Sequence, residues 1–375
     1  MKNIVGTIVE KENFFGREKD VKRAWELLND GYSLILAAPR RVGKSSFANK
    51  MKEITEANNW KGFYIDLEKS KTEMDFIKRF LTILKGESWF EKFKVDNLTI
   101  KGKIVDLSVD IVKTDIYQKI EKVLPYEEDI LIVIDELTIF LDYLLDNKIE
   151  NLNNVSFFLH WLRGLRQENI GSKIRWIFCS SISIQNFAHK YGLSDTLNDM
   201  DEFKIDELEE NEPTMFVKVL AKSKKLNFPD AEIQYLLNRL EWKLPYYIQL
   251  MLKEIGDLTD NETVSKKIID LAFKNATSTK SIRFNTWMER LKNYGDDKPY
   301  ALLLLKELAK IKSGQSRENL LLLIYNKIND MDKAEDILNR LLLMLENEGY
   351  IMNIRGKYTF RSPLLREFWF NRYIK

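Results

Sequence analysis

Along the first two hundred positions, apolar residues come in short, nearly unbroken runs, separated by longer stretches in which they recur every three or four residues. The runs are Ser33 to Ala37, Gly62 to Leu67, Ile130 to Ile134, Ile174 to Ser180 and Glu202 to Ile205. Runs of this length and continuity predict strands buried on both faces. The stretches between them carry helical spacing, as in Ser45 to Ala57 with Phe47, Met51 and Ile54. Strand alternating with helix predicts a five-stranded parallel sheet with crossover helices, an α/β fold. Leu98 to Ile111 interrupts that rhythm: Lys101-Gly102-Lys103 is flanked by alternating residues and reads as a β-hairpin inserted near 98–112.

Beyond residue 206 the strand signal ends. Helical periods fill Pro213 to about Asn293, which predicts an α-helical lid over 207–296 behind a sheet domain of 1–206. Asp296-Asp297-Lys298-Pro299 reads as a linker into a third unit, 297–375. That unit shows helices at Tyr300 to Lys312, Arg317 to Ile328 and Ala334 to Glu348. Two short strands follow, Gly349 to Ile354 and Lys357 to Arg361, turning at Arg355-Gly356. Three helices and a hairpin are the pattern of a winged helix. No repeat of 20 to 50 residues marks a solenoid.

With 375 residues, 45% of them hydrophobic and 12% aromatic, the chain has enough apolar surface to fill two or three cores. Its 59 Lys and Arg nearly balance its 57 Asp and Glu, so no global field draws it to nucleic acid or an anionic membrane. A single cysteine, Cys179, excludes an internal disulfide, and its apolar neighbours place it on a buried strand. Two histidines, His160 and His189, beside one cysteine make a zinc site unsupported. The amino-terminal apolar run is too short and interrupted for a signal peptide, and no segment reaches a membrane-spanning length; a cytoplasmic chain with no membrane partner is expected.

The candidate chemistry begins where the first strand ends. Ala38-Pro39-Arg40-Arg41-Val42-Gly43-Lys44-Ser45 follows the pattern G-x-x-x-x-G-K-[ST] of a Walker A phosphate loop, with Ala38 in place of the first glycine. A nucleoside triphosphate needs backbone N–H donors around it, an ammonium on its outer phosphates and a hydroxyl on Mg²⁺. Pro39, Arg40, Arg41, Val42, Gly43, Lys44, Ser45 and Ser46 are the candidate phosphate-binding residues, with Lys44 as the ammonium and Ser45 as a metal ligand. A Cβ at residue 38 obstructs a left-handed backbone or the approach of phosphate, so some strain is expected there. Ile130 to Ile134 ends in Asp135-Glu136, a Walker B signature. Asp135 is the second candidate metal ligand, and Glu136 the residue that orients or activates the attacking water. The strand from Ile174 ends in Ser180-Ser181, two hydroxyls that compete for a γ-phosphate sensor role or simply cap the strand.

Taken together, Phe15-Gly16-Arg17-Glu18, the Pro-Arg-Arg-x-Gly-Lys-Ser loop, Asp135-Glu136 and Leu244-Pro245-Tyr246-Tyr247 resemble the archaeal-type ATPases of the STAND class, AAA+-like P-loop NTPases with a C-terminal winged helix. Phe360 to Trp369 is similar to the closing segment of their winged helix, so the resemblance runs from about residue 13 to the C-terminus. It implies that Gly16, Arg17 and Glu18 lie beside the adenine and ribose, and that Pro245 stands for the proline of a Gly-x-Pro motif touching the base. Lys243 occupies the glycine position of that motif, which bears on affinity and exchange. The cofactors implied are ATP or ADP with Mg²⁺, and the activity is a slow ATP hydrolysis that resets a switch.

An arginine near a γ-phosphate strongly accelerates transfer. Arg163 and Arg166 lie three apart on one helical face, beside the strand that bears the serines, and are candidate fingers; a solvated face is the alternative. Two outputs fit the chain. One is a regulatory switch acting through a partner protein or a homo-oligomer. The other is a DNA-binding AAA+ ATPase, origin-recognition- or transposition-like, using the winged helix on duplex DNA. Residues 298–375 hold 14 Lys and Arg against 9 Asp and Glu, a mild basic excess, while the segment from Lys333 to Glu348 is acidic at both ends around an apolar middle.

Overall fold

A computed structural model describes residues 1–84, 98–101, 104–107, 113–146, 148, 151–167, 172–180, 183–259 and 263–375. The chain divides into two compact units. One comprises Glu18–Ala37 and Lys44–Ile205, the other Met1–Arg17, Ala38–Gly43 and Asp206–Lys375.

The first unit is a sheet wrapped by helices. In chain order it holds α1 (Glu18–Asn29), β1 (Leu34–Ala37), α2 (Lys44–Ala57), β2 (Lys61–Asp66), α3 (Glu73–Leu84), β3 (Leu98–Lys101), β4 (Ile104–Leu107), α4 (Lys113–Val123), β5 (Ile130–Asp135), α5 (Leu137–Leu145), α6 (Leu152–Gln167), β6 (Ile174–Phe178), α7 (Ile184–Lys190) and β7 (Asp201–Lys204). Five strands pair in the order β2-β5-β6-β1-β7, all parallel, with Asp66 opposite Asp135 and Ile134 opposite Phe178. Every residue of β5 is buried, the reason its sequence reads Ile-Leu-Ile-Val-Ile-Asp without a polar alternation. One face of the sheet packs on an aromatic cluster in which Phe76 meets Phe80, Phe140, Phe158 and Trp161. β3 and β4 pair antiparallel, Leu98 with Leu107 and Lys101 with Ile104; the turn residues 102 and 103 and residues 108–112 lie outside the described residues.

The second unit continues with α8 (Glu212–Ser223), α9 (Asp230–Leu240), α10 (Pro245–Leu258), α11 (Lys266–Ala276) and α12 (Ile282–Arg290). Its hub is α10, buried along Tyr246 to Leu252. Then come α13 (Lys298–Lys310), β8 (Gln315–Ser316), α14 (Arg317–Ile328), α15 (Met331–Asn347), β9 (Ile351–Ile354), β10 (Lys357–Phe360) and α16 (Pro363–Tyr373). The antiparallel sheet order β8-β10-β9 against these helices is that of a winged helix. Local signals set its boundaries: the side chains of Ser316, Asp330 and Ser362 cap α14, α15 and α16, and Arg355-Gly356, both at positive φ, turn the β9–β10 hairpin. Trp287, Tyr350, Phe368 and Trp369 fill the core beneath, and the Tyr350 hydroxyl donates to the Trp287 carbonyl at 2.5 Å.

Residues 296–299, read as a linker, are instead helical. A 3-10 stretch, Leu291–Asp297, runs directly into α13, broken only at Gly295 with φ 54°. Leu291 and Tyr294, three apart, are both buried, so the segment carries core residues, which a free linker does not. The first seventeen residues group with the C-terminal helices: Asn3 donates to the Gln249 carbonyl at 3.1 Å, and Phe15 stacks on Phe216 at 4.9 Å. Among the described residues, no helix is long and apolar enough to cross a membrane.

Candidate functional site

Within the sheet unit, the carboxyl ends of three parallel strands gather chemistry, the edge at which α/β sheets hold their ligands. Asp135 closes β5 and is 4% exposed. Its Oδ1 accepts the backbone N–H of Glu136 at 2.9 Å and the thiol of Cys179 at 3.1 Å, while Oδ2 accepts the hydroxyl of Tyr64 at 2.5 Å. Cys179 follows β6, and Tyr64 lies on β2. Ser45 donates toward the same Tyr64 oxygen, and the Lys44 ammonium acts on Cys179, so both residues that open α2 belong to this neighbourhood. Lys44 is buried. Burial pushes the Tyr64 phenol far above its ordinary range, and Cys179 and Asp135 add to it; burial and then Asp135 push the Cys179 thiol up in the same direction. Both groups therefore stay neutral donors at physiological pH.

Glu136 occupies the turn between β5 and α5 with φ 56° and ψ 33°, a left-handed backbone that glycine or asparagine adopts more comfortably. That turn faces the carboxylate toward the end of β6, where the Ser180 hydroxyl donates to Glu136 Oε2 at 3.2 Å. Ser181 lies outside the described residues.

The two arginine candidates diverge. Arg166 is almost wholly buried, and its guanidinium donates to both oxygens of Asp199, at 2.6 and 2.9 Å, and to the carbonyls of Leu162 and Thr196. It also stacks on Phe178. A guanidinium saturated in this way is a clamp on residues 196–199 and is not available as a finger. Arg163 is more open, held by Gln167 and Asp195.

The other unit contains the rest of the loop. Its left-handed residues are Arg41, with φ 70°, and Gly43, with φ 103° and open space around a would-be Cβ. Ala38 is not left-handed, so the backbone strain expected at that departure from the glycine pattern is absent; Lys243 is not left-handed either, and its N–H donates to Glu207 at 2.7 Å. The Arg41 guanidinium lies over the Tyr246 ring, 4.2 Å from its centre. Arg17 is buried and left-handed, and donates from one terminal nitrogen to the carbonyls of Val42, at 3.1 Å, and Asp206, at 2.6 Å. It braces the loop backbone. Gly16 is required beside it: φ is +68°, and a Cβ would come within 2.9 Å of Glu212, the residue that accepts the Arg17 N–H. Pro245 is the first residue of α10, where a missing N–H costs nothing, with Leu244 as N-cap. Arg40, Pro39 and Ser46 complete the stretch read from the sequence.

A divalent cation suits the Asp135 environment. The hydrogen-bond donors that meet this buried carboxylate are a thiol, a phenol and an amide, all neutral, so a cation at Oδ2 would add to the charge balance that the nearby Lys44 ammonium begins. Mg²⁺ is typically held by one or two carboxylates together with phosphate and water, and no cage of three or more His, Cys, Asp and Glu is found among the described residues.

No family model matches the chain, and no curated protein does. Among solved structures, the Walker-type ATPase of Pyrococcus abyssi is similar over 98% of this chain and 99% of its own, with 17% identity and a TM-score of 0.66. Cdc6p of Pyrobaculum aerophilum matches with 10% identity over 97% and 98%, TM-score 0.46. The ORC1 protein of Aeropyrum pernix, solved in complex with DNA, matches with 12% identity over 96% and 94%, TM-score 0.44. The chain has the α/β fold of a P-loop NTPase.

Proposed function

We propose that this chain binds ATP or ADP with Mg²⁺, hydrolyses ATP slowly and serves as a nucleotide-dependent switch of the STAND kind, read by a partner protein or by copies of itself. The observation that carries the reading is the convergence of Lys44, Ser45, Asp135, Glu136 and Ser180 at the carboxyl ends of neighbouring parallel strands. Ser45 and Asp135 would hold the metal, which when bound draws charge from the outer phosphates. Lys44 meets those phosphates, the loop N–H groups cradle them, and Glu136 orients the attacking water while Ser180 fixes its carboxylate. Gly16, Arg17 and Pro245 remain the residues proposed for the adenosine end. Light scattering after gel filtration in ADP and in a non-hydrolysable ATP analogue tests the switch: a change in mass or shape between the two supports it, and identical monomers in both overturn it.

A winged helix also serves DNA, and exposed Arg355 and Lys357 at the wing favour that second reading. The helix that would enter a groove speaks for protein contact instead. Exposed α15 positions include Asp332, Asp336 and Leu343, and Arg340 is committed to both oxygens of Asp297.

A further inference from the structure

We infer that Tyr64 is a positioning residue for the metal-binding pair: its phenol links the Ser45 hydroxyl to the Asp135 carboxylate and keeps the two ligands in register for the ion. The inference rests on the nucleotide and Mg²⁺ reading above.

The pleat of β2 puts the ring where this link requires it. Phe63 and Ile65 belong to the buried core on one face of the sheet. Gly62 and Tyr64 alternate with them and face α2: a Cβ on Gly62 would come within 2.7 Å of Lys52 of that helix. Because β2 pairs with β5 in parallel register, Tyr64 opposite Val133 and Asp66 opposite Asp135, the ring reaches the end of β5 and the start of α2 together.

The donors and acceptors then balance in one direction. A hydroxyl supplies one proton and two lone pairs. Ser45 gives its proton to the Tyr64 oxygen and retains lone pairs for a cation. Tyr64 gives its proton to Asp135 Oδ2. Asp135 Oδ1 is already filled by the Cys179 thiol and the Glu136 N–H, so the remaining lone pair of Oδ2 is the one that would be left for the ion. A phenylalanine would pack as well on this face but would leave the carboxylate held through Oδ1 alone, with Oδ2 undirected, and Ser45 without its acceptor.

The test is isothermal titration of wild type and Tyr64→Phe with ADP in EDTA and with ADP plus Mg²⁺, reading the ratio of the two affinities. Taken on one protein sample, the ratio is insensitive to any general loss of folded material. Hydrogen bonds to charged groups have a size that corresponds to roughly tenfold or more in an equilibrium constant, so Tyr64→Phe is expected to lose about tenfold of the Mg²⁺ enhancement while affinity in EDTA stays within about twofold. An unchanged ratio would mean that only the ring matters, and a larger ratio that the phenol competes with the ion; either overturns the inference. A wild-type protein that binds ADP in neither condition overturns the nucleotide reading itself, a result distinct from a normal wild-type ratio that the variant leaves unmoved.

Discussion

One terminal nitrogen of Arg361 reaches both carboxylate oxygens of Asp206, at 2.8 and 2.6 Å, with the guanidinium lying over the Trp242 ring at 4.7 Å. The Trp242 indole N–H donates to the same carboxylate, so three side chains form one clasp. It joins the residue that follows β10 to the start of the helical segment. Partly exposed pairs are worth little, but stacking adds to this one, and Arg361→Ala is expected to lower the unfolding free energy by about 1 kcal/mol. Urea unfolding of Arg361→Ala, Asp206→Asn and the double variant checks it. Additive single effects would show that the pair does not act as a unit.

Lys44→Ala should abolish nucleotide binding, because no other residue of the loop can place an ammonium on the outer phosphates. Glu136→Gln keeps the shape and loses the base: binding should persist while phosphate release stops. Normal turnover in Glu136→Gln would show that the Walker B assignment is wrong.

Ser180→Ala removes the hydroxyl donor to Glu136 Oε2. Loss of one hydrogen bond to a charged group corresponds to roughly tenfold in rate when it is made at the reacting geometry. Turnover should fall by about that factor with nucleotide affinity unchanged. A fall in affinity with turnover preserved would assign Ser180 to binding instead.

Tyr294 and Tyr350 are buried phenols whose titration is pushed well up, first by burial and then by Glu348. Their folded forms hold a proton at pH values where the unfolded chain gives it up, so they stabilise fully below about pH 10 and progressively less as pH rises above it. Each contributes a slope that approaches about 1.4 kcal/mol per pH unit only from about one unit above the free phenol value. Denaturant unfolding followed from about one unit below the free phenol value to about two units above it measures it. Tyr294→Phe should flatten the slope by one proton; an unaltered slope would place that phenol in contact with water.

The wing separates the two outputs. If the chain acts on protein, duplex DNA should bind weakly even at about 50 mM salt, and Arg355→Ala with Lys357→Ala should change nothing else. Tight duplex binding that falls several-fold or more by about 200 mM salt, and that this double variant abolishes, would favour the DNA reading.

The sheet and the acidic end of β5 were legible because burial on both faces leaves no polar alternation: an Asp-Glu after five apolar residues stands out. Both Ser180 and Ser181 stand out as hydroxyls at a strand end, and the sequence does not choose between them; the bond to Glu136 is made by Ser180. Tyr64 was not, since Phe-Tyr-Ile reads as ordinary strand core, and the carboxylate that gives its hydroxyl a purpose lies 71 positions away. Arg166 looked like a solvent-facing partner of Arg163 because the helix period records only spacing; Asp199, 33 positions on, decides that it is buried. Ala38 and Lys243 were read as flaws because the motif has glycine there, but the left-handed turns fall at Arg41 and Gly43, and neither substituted residue needs glycine's freedom.

Glu136 holds a backbone conformation that costs a residue with a Cβ on the order of 1 kcal/mol, with no compensating cap from its own side chain. The position is therefore a gauge of what selection has asked of this chain. A library randomised at residue 136 and sorted for thermal stability alone should enrich glycine and asparagine, while one sorted for phosphate release should return glutamate.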